Sequence, residues 1–235
     1  MPKTKGKATP AAAVPASIAV FDPPPLNVDA ANVTRTSLDV NTILHRIHQD
    51  TFGALQFNPG FGNARFSPIN DAVGKSIPTI YAGETFECAA MESVFHDVPY
   101  APGLKAYDKA KLAGQVHSIV KTKELLVLAD FGTKALHKLG IPRASLTDTE
   151  KDRYPFTRTV AQAVHAQCPD LQGICWTSRQ DDKATAYVLF GDRIAARDLQ
   201  HVGTSKSVTG DAATYDALLD LAEVIGVDIV PGNMP

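Results

Sequence analysis

Apolar and polar positions first fall into order just after Thr42, where Ile43-Leu44-His45-Arg46-Ile47-His48 half-alternates and predicts a strand. Pro78-Thr79-Ile80-Tyr81-Ala82 predicts another, with its proline at the start, where a missing N–H does least harm. A helix is expected over 85–96, with Thr85 as N-cap and Pro99 beyond its end. Residues 115–121 and 125–129 read as strands, with Glu124 near a tight turn between them. A short helix over 133–139 runs into Gly140, and a longer one over 155–167 has Pro155 in its first turn and Pro169 past its end. Strands at 173–177 and 186–190 follow. A last helix over 211–224 starts at the capping Asp211 and stops at Gly226. No regular βαβ rhythm and no internal repeat is visible, so the pattern predicts an α+β fold of short strands and interspersed helices.

Ahead of this patterned region, residues 1–40 have the Ala/Pro/Lys bias of a flexible arm, which leaves 41–235 as the folded domain. Lys3, Lys5 and Lys7 followed by an alanine-rich run resemble a secretory signal, but Pro10, Pro15 and Pro23-Pro24-Pro25 interrupt it, so an arm is the preferred reading. The chain of 235 residues is 44% hydrophobic and 20% charged, enough to bury a core without metal or disulfide staples. A net charge of -2 argues against direct nucleic-acid binding. Cys88, Cys168 and Cys175 are too few and too irregular for a disulfide framework, and an odd count fits a reducing, cytoplasmic compartment. No Cys or His pair has zinc-ligand spacing matched by a second pair, so no metal is expected. No apolar stretch reaches the length of a membrane span.

Two apparent phosphate-binding motifs fail. Gly74-Lys75-Ser76 lacks the glycine five residues earlier, where Ile69 stands. Gly60-Phe61-Gly62 has Arg65 in place of the third glycine of a dinucleotide fingerprint, and no strand–turn–helix surrounds it. Nor is there a Gly-x-Ser-x-Gly hydrolase elbow.

Glu92 is the residue that breaks its local pattern. Its helical neighbours at i−4, i−3, i+3 and i+4 are Cys88, Ala89, Phe95 and His96, so a carboxylate interrupts a face otherwise suited to the core. Such a group must be paired or hydrogen-bonded, in a functional site or in a structural salt bridge. Glu84 and Glu87 lie near the helix start, where the dipole welcomes them. Arg65 follows a loop with two glycines, and Arg46 interrupts an apolar strand. Either guanidinium could fork a phosphate or form a structural ion pair. Tyr81, at a strand end, suits ring stacking or core packing, and Ser178 suits either a positioning hydroxyl or an ordinary turn.

The order of these residues is more specific than any one of them. Arg65-Phe66, Tyr81-Ala82, Ala89-Ala90-Met91-Glu92, Gly173-Ile174-Cys175-Trp176-Thr177-Ser178-Arg179 and Val188-Leu189-Phe190 together resemble the RES-domain family over residues 42–200. Leu44-His45-Arg46-Ile47 is similar to that family's first strand, while Ala64 stands where the family often has glycine. The resemblance implies an ADP-ribosyltransferase-like fold and an enzyme that consumes NAD⁺ as substrate, the toxin of a toxin–antitoxin pair. It implies that Arg65 and Arg46 hold the phosphates and that Tyr81 stacks near nicotinamide. Glu92 would then act at the nicotinamide ribose, with Ser178 in support. It also implies a helix-turn-helix antitoxin as partner, in a toxin–antitoxin oligomer or beside a homodimer. Transfer of ADP-ribose to a protein, or an inert partner-binding module, are the alternatives.

Overall fold

In the computed structural model, which describes residues 28–232, a strand forms ahead of the first one the patterning predicts. Strand β1 (Arg35–Leu38) precedes the expected β2 (Ile43–Gln49). Val28 and Val33 are buried, and Arg35 holds Asp170 through bonds of 2.7 and 3.0 Å. Residues 28–40, expected in the arm, therefore belong to the fold, because Val28, Val33 and Leu38 are buried in its core. The first 27 residues of that arm lie outside the described residues.

The chain continues through β3 (Thr79–Gly83), α1 (Phe86–Ser93), β4 (Lys105–Asp108), β5 (Gln115–Thr122) and β6 (Leu126–Asp130). Helices α2 (Thr133–Leu139), α3 (Arg143–Leu146) and α4 (Tyr154–Gln167) then lead to β7 (Gly173–Thr177), β8 (Thr185–Phe190) and β9 (Leu199–Ser207). Helix α5 (Ala212–Val224) and β10 (Val227–Val230) complete the described elements. Eight strands form one sheet in the order β1-β6-β7-β8-β3-β2-β5-β9. Within it β6 and β7 run parallel, and the long crossover this requires carries α2, α3 and α4. Strands β4 and β10 pair in parallel as a separate ribbon. The fold is α+β, as its pattern predicts.

The sheet is buried on both faces. One face packs Phe66, Trp176, Val188 and Phe190 with Val160 and Val164 of α4. The opposite face buries Leu44, Ile80, Leu128 and Leu189. A third cluster joins Met91 and Phe95 to Leu218 of α5 and Val227 of β10. No helix among the described residues is long and apolar enough to cross a membrane.

Helix α1 carries the candidate carboxylate, so its placement matters most. Thr85 caps it by accepting the Cys88 N–H at 3.0 Å. Gly83 permits its close approach to β3, since a Cβ there would lie 2.6 Å from the Ala89 nitrogen. The helix ends at Ser93, short of the expected His96, because the Phe95 N–H turns back to Ala90 O as its ring enters the third cluster. Helix α4 begins beside Pro155, and Arg193 gathers the carbonyls of His165, Cys168 and Leu171 at its far end.

Candidate active site

Four of the five candidate residues come together from separate elements. Arg65 follows the glycine loop, Tyr81 lies on β3, Glu92 on the last turn of α1, and Ser178 directly after β7. Arg65, Tyr81 and Glu92 line one cleft of about 300 Å³, with Phe61, Gly62, Asn63, Ala64, Ser93, His96, Asp97, Lys151 and Tyr154 completing its wall.

Ser178 is fully buried and acts behind the cleft. Its Oγ accepts the N–H groups of Gln180 and Asp181 at 3.1 and 3.0 Å, then donates to Glu92 Oε1 at 2.7 Å. Two backbone donors thus orient the hydroxyl so that its own proton must point at the carboxylate. No donor reaches Glu92 Oε2 among the described residues, and Glu92 is only half-buried, so that oxygen stays open to the cleft. The nearby Cys88 thiol is held protonated, since burial, with the charges of Glu92 and Asp181, pushes its pKa up to about 12.

Arg65 is 4% exposed and forms no ion pair among the described residues. Its Nη1 donates to Leu146 O, Thr149 O and Thr149 Oγ1 at 3.2, 3.1 and 2.9 Å. Its Nε is buried without a partner, and its guanidinium lies 5.2 Å from the centre of the Tyr154 ring. The carbonyls hold the cation in place but do not neutralise it. A buried charge without a counterion favours an anion beside it.

Tyr81 is fixed through its hydroxyl, which accepts the Phe66 N–H at 2.9 Å, and its ring meets Trp176 edge-on at 6.2 Å. Burial pushes its pKa well above the ordinary phenol value, so it stays protonated. A polar chain closes the cleft wall: Tyr154 Oη meets His96 Nε2, His96 Nδ1 meets Asp97 at 2.8 Å, and Lys151 reaches Asp97 at 2.6 Å. Burial raises the Asp97 carboxyl, but hydrogen bonds from Lys151 and His96 bring it below its ordinary range.

Arg46 does not join this group. It shares the face of β2 with Leu44, whereas His45 pairs with Gly83 and so shares the face of Tyr81. Arg46 therefore lies across the sheet, 5% exposed, donating to Gly53 O at 3.3 Å and Ala54 O at 2.8 Å. Conversely, Tyr154, Thr149, His96, Asp97 and Lys151 carry no local sequence signal beyond the i+4 spacing of His96 from Glu92. They meet through contacts as distant along the chain as Arg65 and Thr149.

Fold and cleft together define a small α+β domain with an arginine, a glutamate and a serine at one site. The RES domain family model matches residues 43–210, and the chain belongs to that family. No curated protein matches it. Among the described residues, no three His, Cys, Asp or Glu side chains are grouped to hold a metal ion.

Proposed function

We propose that this chain cleaves the nicotinamide–ribose bond of NAD⁺ as the toxin of a toxin–antitoxin pair. The observation that carries this reading is Glu92, held by Ser178 through one oxygen and open to the cleft through the other, in a cavity whose arginine has no counterion among the described residues. Departure of nicotinamide builds positive charge on the ribose, and a fixed carboxylate is the group that stabilises it. Glu92 Oε2 meets the ribose hydroxyls or the developing oxocarbenium, while Ser178 keeps Oε1 from rotating away. Arg65 attracts the phosphates, with Lys151 at the rim, so binding energy remote from the scissile bond orients it. Tyr81 flanks the nicotinamide end as a neutral wall.

A cavity of about 300 Å³ is at the lower end of ligand pockets, which span about 300–1,000 Å³, so it suits the nicotinamide riboside half with the rest along its mouth. Water as acceptor gives ADP-ribose, and a protein side chain gives a modified protein. The three cysteines are free and buried, in keeping with a reducing cytoplasm. A helix-turn-helix antitoxin that covers the cleft would silence it. NAD⁺ depletion with product identification, run beside Glu92→Gln, tests the reading. Undiminished consumption by the folded variant removes it.

A further inference from the structure

We propose that Phe61 is the platform on which the adenine ring of the dinucleotide stacks at the mouth of the cleft, an assignment that rests on the NAD⁺ reading above. Phe61 lines the cleft yet is 69% exposed, and among the described residues its ring makes no aromatic or cationic contact. Tyr100 is as exposed, but its ring lies against Arg179 and its hydroxyl meets Gln180. Among the described residues, Phe61 is the exposed aromatic with neither a ring nor a cation on its face.

Its exposure does not come from a loose loop. Asn58 Oδ1 accepts both the Gly60 and Phe61 N–H groups at 3.0 and 2.7 Å, and Asn58 Nδ2 donates to Phe61 O at 2.9 Å. The backbone of Asn58 in turn exchanges two hydrogen bonds with Thr79, the first residue of the strand that carries Tyr81. Phe61 is thus tied to the floor of the site through the sheet. Glycines on both sides adopt positive φ, 123° at Gly60 and 88° at Gly62, which lets so short a loop present the ring outward. A Cβ at Gly60 would lie 2.3 Å from Ser76 Oγ, so the loop is packed from behind as well.

A rigid backbone that displays an apolar ring to water is preorganised for a planar partner. Nicotinamide must sit where its bond to ribose meets Glu92, beside Tyr81. The rim of the cavity is left for the other ring of NAD⁺, and Lys151 and Asp97 add charge to the same lining. An adenine has apolar faces for Phe61 and polar edges for solvent and those charges.

Calorimetric titration of the full chain, Phe61→Ala and Phe61→Tyr with NAD⁺, ADP-ribose and nicotinamide mononucleotide tests the assignment. Phe61→Ala should weaken NAD⁺ and ADP-ribose by about 5- to 150-fold, the range of base–aromatic stacking, and leave the mononucleotide within about twofold. Phe61→Tyr should bind all three as the parent does. In turnover, Phe61→Ala should raise KM for NAD⁺ and spare kcat. Unchanged ADP-ribose binding overturns the proposal, as does equal weakening of the mononucleotide, which would put Phe61 at the nicotinamide end. ADP-ribose binding that depends on Phe61, without NAD⁺ cleavage, removes the cleavage reading and keeps the stack. A parent protein that binds neither adenine ligand removes both.

Discussion

Ser178→Ala removes three hydrogen bonds at once and separates the positioning of Glu92 from its charge. The bond to Glu92 Oε1, at 2.7 Å, is charge-assisted and of a kind that contributes about 1.5–3 kcal/mol. Losing it frees a half-buried carboxylate to leave its productive rotamer. If half to all of that energy is expressed in the transition state, kcat/KM falls by about 4- to 160-fold. The Gln180 and Asp181 N–H groups also lose their acceptor, but that segment is only half-buried and water can replace it. At about 1 kcal/mol each, the lower end for an orphaned donor, they cost about 2 kcal/mol. For a chain of this size that lowers Tm by about 4–8 °C. The assay is NAD⁺ consumption at several substrate concentrations, well below the melting range, beside a thermal melt. Parent-like kcat/KM in Ser178→Ala would refute the positioning role, and an unchanged melt would refute the account of the 178–181 turn.

Glu92→Gln keeps an oxygen for Ser178 and loses only the charge, so NAD⁺ cleavage should fall by about 10²–10³-fold with little change in Tm, measured by product chromatography and calorimetry. Arg46→Met should leave KM for NAD⁺ unchanged but lower stability by about 1–3 kcal/mol in urea unfolding, since Gly53 and Ala54 carbonyls lose their donor. A large rise in KM would contradict its place across the sheet. Burial, with His45 and His48 nearby, lowers the pKa of His117 from 6.5 to about 4. The unfolded chain therefore binds more protons between those values, so stability is full above about pH 6.5 and is lost as pH falls toward 4. Urea midpoints at pH 7.5 and 5.0 check this, and His117→Gln should flatten the difference.

The elements legible in the sequence share a physical cause, and so do those that were not. Strands β2, β3, β5, β6, β7 and β8 lie inside the sheet, where burial on one or both faces forces apolar residues into a readable pattern. Helices α2, α4 and α5 carry their own punctuation in Gly140, Pro155 and Asp211. The strands that escaped are β1 and β9, the two edges of the large sheet, and β4 and β10, which form only a two-stranded ribbon. An edge strand needs no apolar alternation: β9 reads Leu199-Gln200-His201-Val202-Gly203-Thr204-Ser205-Lys206-Ser207 and is mostly exposed. Beyond the buried Leu199 and the Ser205 hydroxyl bonded to Ser118, backbone pairing with β5 holds it, and backbone pairing leaves no trace in side-chain chemistry.

At the site, the same limit falls on the two arginines. Arg46 and Arg65 look alike in sequence, each a guanidinium set among apolar or small neighbours, and only geometry separates them. Along β2 the side chains alternate, so the pairing of His45 with Gly83 commits Arg46 to the face opposite Tyr81. A slip of one residue would have turned it toward α1. Arg65 lies outside any strand, and its direction is set by Leu146 and Thr149, more than eighty residues away. Parity and a distant loop thus leave the cleft floor with one arginine instead of two. Lys151 already shares its charge with Asp97 at the rim. Recognition of a dinucleotide by this cleft then has little charge to draw on beyond Arg65, and more must come from flat contact with its rings.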